Sequence, residues 1–335
     1  MPAPSADVPA ALRDALAAEL AGHPRPQLAA ATRRLIGRYR NGVGAGGPVL
    51  ASAVDVAAYA AYRLPATHAA VRTALAQATR VAPALAPDTL LDVGGGAGAA
   101  TWAAAVTFPT LTAATVLDQE RAALDLGRRL AAAAPWRAVR DARWRQERFG
   151  ARRPDLPAAD LVTVSYLLGE LEPARQAVLL DALAAAGRVV AVVEPGTPAG
   201  HRRVLAARDR LLAAGLSVLA PCPHQDACPL ADGDDWCHFA ARVSRTALHR
   251  QVKDATEGHE DEKFSFVVAA RTPYGTAPGR VLRHPRQRKG LVTLEVCAAG
   301  GGVARELVSK RQGERYRRAR EVGWGDEWPT PVDES

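Results

Sequence analysis

The chain has 335 residues, 48% of them apolar and only 5% aromatic, and its formal net charge of +8 is carried almost entirely by arginine. That length suits roughly two domains of ordinary size, and no charge-free apolar stretch approaches the ~18 residues that a membrane helix needs, which argues against a spanning protein. The first twenty residues hold acids early and lack a basic-then-apolar export pattern, so the expected location is cytoplasmic; the basic balance points to a polyanionic partner, nucleic acid first.

Residues 8–42 read as two helices punctuated by Pro24 and Pro26, and 41–49 (NGVGAGGPV) as a loop. The stretch 55–80 reads as a helix broken at Pro65. From residue 89 onward, apolar runs alternate with helical periods. Strands are expected at 89–93, 112–118, 160–168 and 188–196, with helices ending near Val106 and over 120–133, 175–187 and 201–215. Strands separated by helices argue for a parallel sheet with crossovers. Two more strands are expected at 263–272 and 290–300, the latter among the dense basic runs RVLRHPRQRKG (280–290) and SKRQGERYRRAR (309–320). These boundaries predict an N-terminal helical region (1–80), an α/β domain (81–220), a cysteine-rich insert with a returning strand (221–272) and a basic, β-containing C-terminal extension (273–335).

Asp92-Val93-Gly94-Gly95-Gly96-Ala97-Gly98 joins a buried strand to a helix. Glycines let the backbone turn sharply and approach a ligand without a Cβ clash, and the helix N-terminus behind them offers unpaired N–H groups. Asp118, at the end of the next strand, is spaced to accept hydrogen bonds from ribose hydroxyls. The form of the turn resembles motif I of class I S-adenosylmethionine (SAM)-dependent methyltransferases, which implies their Rossmann-like α/β fold and a SAM pocket. The acceptor side is less defined. Pro221-Cys222 superficially matches the nucleophile pair of carbon methylation, but Cys222 has better use as a ligand. Ser165-Tyr166-Leu167-Leu168-Gly169-Glu170 stands where amino-methylating enzymes carry a Pro-Pro-Tyr motif, and the prolines are missing. Glu170 and Glu194 read as bases or, better, as capping and hydrogen-bonding residues. No catalytic residue is assigned.

The chain holds four cysteines. Cys222, Cys228 and Cys237 crowd into one segment, C-x5-C-x8-C, and Cys297 lies far downstream. Reduced cytosolic thiols do not pair into disulfides, and the polar surroundings of the first three suit inert core thiols poorly. Three plus a distant fourth can close a four-thiolate site for a metal ion or an iron–sulfur cluster. The spacing is wider than a zinc finger's, which favours a cluster, while His238 could replace one thiolate on zinc.

DVAAYAAYRLPATHAAV, LLDVGGGAG, VSYLLGEL, VVEPGTPAG, PCPHQDACPL, DWCHFAARVSR and SKRQGERYRRAREVGWGDEW occur in that order. Together they resemble the ribosomal small-subunit methyltransferase-like proteins, the Rsm22 family of bacteria and mitochondria. The resemblance covers about residues 50–328. It implies a methyltransferase fold, association with the small ribosomal subunit and its rRNA during assembly, and a [4Fe–4S] site held by Cys222, Cys228, Cys237 and Cys297. It likewise implies that Asp92, Gly94, Gly96 and Asp118, with Gly98 in the same turn, bind SAM. Whether members methylate rRNA or only retain the fold stays open, as does zinc in place of the cluster; a zinc-containing small-molecule methyltransferase is the other alternative, and it leaves the basic runs unexplained.

Overall fold

The structure is a computed structural model that describes residues 8–40, 50, 52–244 and 259–329; the expected loop at 41–49 lies outside them. Three helices open the chain: α1 (Ala10–Ala21), α2 (Arg25–Arg40) and α3 (Ala53–Val81). Ser52 caps α3, its hydroxyl accepting from the Asp55 N–H at 3.2 Å and donating to the Asp55 carboxylate at 2.8 Å. The break expected at Pro65 is absent: α3 continues through it. Proline removes one helical hydrogen bond, but Ala57, Ala61, Leu64, Ala69, Ala74 and Ala78 are all buried along this helix. Tertiary packing of that length of apolar surface outweighs one missing bond.

The main sheet is built from β1 (Thr89–Val93), β2 (Ala113–Asp118), β3 (Arg143–Gln146), β4 (Ala159–Ser165), β5 (Gly187–Pro195), β6 (Ser217–Ala220), β7 (Phe239–Ser244) and β8 (His259–Ala270). Between them lie α4 (Ala99–Thr107), α5 (Arg121–Ala131), the short α6 (Arg137–Arg140), α7 (Pro173–Ala186) and α8 (Pro198–Ala213). The order is β3-β2-β1-β4-β5-β8-β6, with β7 also pairing β8. Strands β1 to β5 pair in parallel, while β8 runs antiparallel to β5, β6 and β7. This is the doubly wound arrangement of the class I methyltransferase fold, with one antiparallel strand set between β5 and β6. Strand order reverses between β1 and β4, and ligands of such sheets sit in the crevice beyond the strand ends at that point.

Strands β3, β6 and β7 carry too weak a pattern to be expected from sequence. The strand expected from 263 begins at His259, because its first half is polar and held by β7, whereas Phe264 to Ala270 are buried alongside β5, with Val268 to Ala270 also paired to β6. Strand β8 therefore enters the sheet beside β5, one place in from the β6 edge.

A second, antiparallel sheet follows: β9 (Gly279–Val281), β10 (Arg286–Arg288), β11 (Leu291–Ala298) and β12 (Val303–Ser309), then α9 (Glu314–Glu321). It has its own core of Val281, Val292, Leu294, Val296, Val308, Ala319 and Trp328. The first basic run is not one solvated face. Arg280 is 1% exposed, whereas Arg286, Arg288 and Lys289 are exposed.

Candidate functional site

A cavity of about 420 Å³ opens at the strand-order reversal. Its floor is the glycine turn: Gly94 and Gly95 donate their N–H groups to the Leu117 carbonyl at 2.7 and 3.1 Å, which ties the turn to the end of β2. Gly94 has φ of +67°, and a Cβ there would sit 2.6 Å from Leu167 Cδ2, so only glycine fits. Asp118 lies on the wall, accepting from the Gly96 N–H at 2.8 Å and the Glu120 N–H at 2.8 Å. Burial raises its pKa, against the lowering effect of those N–H donors. Both carboxylate oxygens retain lone pairs for a further donor such as a ribose hydroxyl.

Gly94, Gly96 and Asp118 line this cavity; Asp92 and Gly98 do not. Asp92 is fully buried beneath the turn, where its oxygens accept from Thr163 at 2.8 Å and Thr101 at 2.9 Å. Desolvation pushes its pKa up to about 6, against those two hydrogen bonds. Gly98 caps α4 with φ of +84°, and a Cβ there would lie 2.7 Å from the Trp144 ring. These two residues build the turn from below.

Helix α3 supplies the roof, which sequence reasoning did not anticipate: Tyr59, Tyr62, Arg63 and Thr67 all face the cavity. Arg63 lies 4.8 Å above the Tyr166 ring and 3.6 Å from Glu262 of β8. The Tyr166 hydroxyl donates to Glu262 at 2.8 Å, and burial holds its pKa well above the usual phenol. Tyr166 has φ of +57°, a strained conformation for a bulky residue. Its ring and hydroxyl are thus committed to Arg63 and Glu262, at the position where an amino-methylating enzyme would present its motif. Glu194 is 1% exposed; it accepts from the Leu168 N–H at 3.0 Å and pairs with Arg203 at 2.6 Å. This is a hydrogen-bonding role rather than that of a free base. Glu170 borders the cavity while staying exposed over much of its surface; partial desolvation, then Asp118, Glu194 and Glu120, raise its pKa to about 7.

The four cysteines gather around a second, small cavity of about 30 Å³. Cys222, Cys228 and Cys237 lie on the segment between β6 and β7, which folds back where the Gln225 side chain bonds both the N–H and the carbonyl of Val218. Cys297 comes from β11 of the second sheet and sits 3.4 Å from His224 Nε2. Burial raises all four thiols; Cys237, also under the influence of the other three cysteines, is pushed well above the usual range, and Cys297 is pushed up to about 12. Among the described residues no three His, Cys, Asp or Glu side chains stand close enough to hold a single metal ion. In donor chemistry the lining suits a thiolate-bound group: four soft sulfur side chains border one small cavity, and two nearly inaccessible guanidiniums, Arg208 and Arg280, line it with them. Neither arginine was foreseen, since one lies in an amphipathic helix and the other in a run that reads as solvated. His238, the possible zinc ligand, is instead stacked on Trp236 at 5.3 Å, with Nδ1 3.0 Å from the Trp236 carbonyl.

A family model described as "Mitochondrial small ribosomal subunit Rsm22" matches residues 53–329. The chain belongs to the Rsm22 family. Among Rsm22 relatives, "Ribosome assembly protein METTL17, mitochondrial" of Homo sapiens is 30% identical over 298 residues, covering 81% of this chain and 62% of that protein. "Rsm22-cox11 tandem protein 2, mitochondrial" of Schizosaccharomyces pombe is 25% identical over 185 residues, 43% of this chain and 25% of its own length. The chain thus spans less than two thirds of the curated relatives it matches. Among solved structures, a "putative RNA methyltransferase PH1948 from Pyrococcus horikoshii" superposes with a TM-score of 0.41 and 10% identity, covering 63% of this chain and 88% of that one.

Proposed function

We propose that this chain is a SAM-binding, methyltransferase-like protein that acts with the small ribosomal subunit during its assembly and is stabilised by a four-cysteine iron–sulfur site. The observation that carries the first part is the intact glycine-turn cavity with Asp118 on its wall. Asp118 and the Gly96 backbone hold the nucleoside end. The carboxylates around the cavity that are not paired with Arg203 (Asp118, Glu120, Glu170) suit a sulfonium cation, and α3 covers the cavity from above. Bound SAM supplies an electrophilic methyl group; the residues around it bind and orient.

Family membership supports the ribosomal partner, and the human relative bears the name of an assembly protein. The exposed Arg286, Arg288 and Lys289 supply phosphate-binding charge. The commitment of Tyr166 to Glu262 favours an assembly role without methyl transfer. Glu170, with its pKa raised to about 7 beside the cavity, favours the second reading, an rRNA methyltransferase with Glu170 as base. Cys222, Cys228, Cys237 and Cys297 would hold the cluster, with zinc as the alternative occupant, and the group would supply a structural staple between the 222–237 segment and β11. The relatives are mitochondrial by name, so the cytoplasmic expectation widens to whichever compartment houses the small subunit. Among the described residues no helix is long and apolar enough to cross a membrane.

The test is a deletion strain. If small-subunit precursors accumulate while every rRNA methyl mark persists, the assembly reading holds. One missing mark, restored by the wild-type chain and not by Glu170→Gln, selects the enzyme. Calorimetric titration with SAM that yields no binding removes the cofactor from both readings.

A further inference from the structure

Arg208 of α8 and Arg280 of β9 both line the cysteine cavity and are 2% and 1% exposed. Burying a cation is costly unless a counter-charge accompanies it. The carboxylates nearest to these two are loose partners. Asp209 stands 3.6 Å from Arg208 with its side chain 73% exposed, and Glu327 stands 3.8 Å from Arg280, beyond hydrogen-bonding distance.

The remaining contacts are backbone carbonyls. Arg208 donates to the carbonyls of His224 and Asp226, and Arg280 to those of Pro221 and Gly325 at 3.0 Å. Those bonds brace the cysteine segment, yet they leave Nε of Arg208 and Nη2 of Arg280 buried with no acceptor. Bracing alone requires neither the positive charges nor the spare donors. Four neutral thiols would leave Arg208 with only the exposed Asp209, and Arg280 with Glu327 and Asp326 but no carboxylate within hydrogen-bonding distance. Four thiolates around a zinc ion or an oxidised iron–sulfur core leave a net double negative charge, and two guanidiniums balance it.

We infer that Arg208 and Arg280 are the counter-ion pair of the thiolate-bound group, donating their spare N–H groups to its sulfurs and neutralising its charge inside the fold. This rests on the four-cysteine reading and holds for either occupant. It makes assembly of the site a joint event: α8, the 222–237 segment and the second sheet each contribute one part of a neutral set, and none is balanced without the others. As outer-sphere donors, the two arginines are positioning and charge-compensating residues, not ligands.

The test uses the full chain purified without oxygen and reconstituted in parallel with iron plus sulfide and with zinc. Arg208→Met, Arg280→Met and the corresponding lysine variants are compared with wild type for metal per chain after a chelator challenge, for absorption near 400 nm and, where iron is held, for midpoint potential. Far-UV circular dichroism and SAM titration at the other cavity report folding. The methionine variants are expected to lose metal about tenfold faster or more, the scale on which outer-sphere changes act on metal sites. Lysine should restore part of the retention, and loss of positive charge should shift the potential downward. If a methionine variant fails to fold, its lysine counterpart decides: intermediate retention supports the inference. Methionine variants that keep metal and potential like wild type overturn it, as do folded lysine variants no better than methionine ones, which would reduce both arginines to braces. A wild type that binds neither metal overturns the four-cysteine reading and the inference with it.

Discussion

Asp92 works from below the cavity. Its carboxyl is sealed between Thr101 and Thr163, and burial raises its pKa to about 6. A raised folded pKa means that the native state holds its proton after the unfolded chain has lost it. The stability at this site is therefore fully present below the unfolded value of 3.8 and is lost as pH rises through about 6. Relative to Asp92→Asn, the wild type should lose on the order of 2–3 kcal/mol between about pH 4 and pH 7, read from denaturant unfolding of both proteins across that range. A difference that stays flat with pH would show that Asp92 is ionised when folded. Gly95 tests the turn itself. An added Cβ would stand 2.6 Å from Asp92 Oδ2 and 2.7 Å from Val116 Cγ1. Gly95→Ala should cost about 1–3 kcal/mol and weaken SAM binding in calorimetry; unchanged affinity would separate the turn from the ligand.

Among the elements, α3 and α8 do the most to complete the two cavities, and each starts at a defined cap. Ser52 holds the first turn of α3 and bonds Asp55, which also pairs with Arg34 of α2 at 2.8 Å. Thr197 accepts from the Gly200 N–H at 3.1 Å and precedes Pro198 at the first position of α8. Ser52→Ala and Thr197→Ala should each cost about 1 kcal/mol, seen as lowered denaturation midpoints with unchanged slope. The two helices were legible to different degrees. The periodicity of α8 placed its body from residue 201 but not its start at Pro198, which the Thr197 cap sets. In α3 the local rule for proline was sound and was overruled by burial. Strand β8 failed in the opposite direction: its charged first half has no apolar period, and only pairing with β7 makes it a strand.

At the scale of the whole molecule, the second sheet joins the cysteine site to a basic exterior. Cys297 and Arg280 are cross-strand partners at one end of that sheet, while Arg286 and Arg288 lie exposed on β10. Replacing Arg286, Arg288 and Lys289 with alanine should weaken binding to small-subunit particles and lower the salt slope by about one unit for each phosphate that is no longer neutralised, measured by sedimentation across a salt series. An unchanged slope would place the RNA-binding surface elsewhere. Local sequence is enough for the alternation of strands and helices, the glycine turn with Asp118 two elements on, and the four cysteines that border the second cavity. Those features rest on local periodicity, on backbone conformations open to glycine and on ligand chemistry, all of which are written in neighbouring residues. Only the tertiary structure decided that α3 roofs the first cavity, that Tyr166 is held by Arg63 and Glu262, and that Arg208 and Arg280 are buried among the cysteines. Those partners lie far apart in the chain, and their burial and charge balance arise only when the sheet order and the docking of the second sheet bring them together.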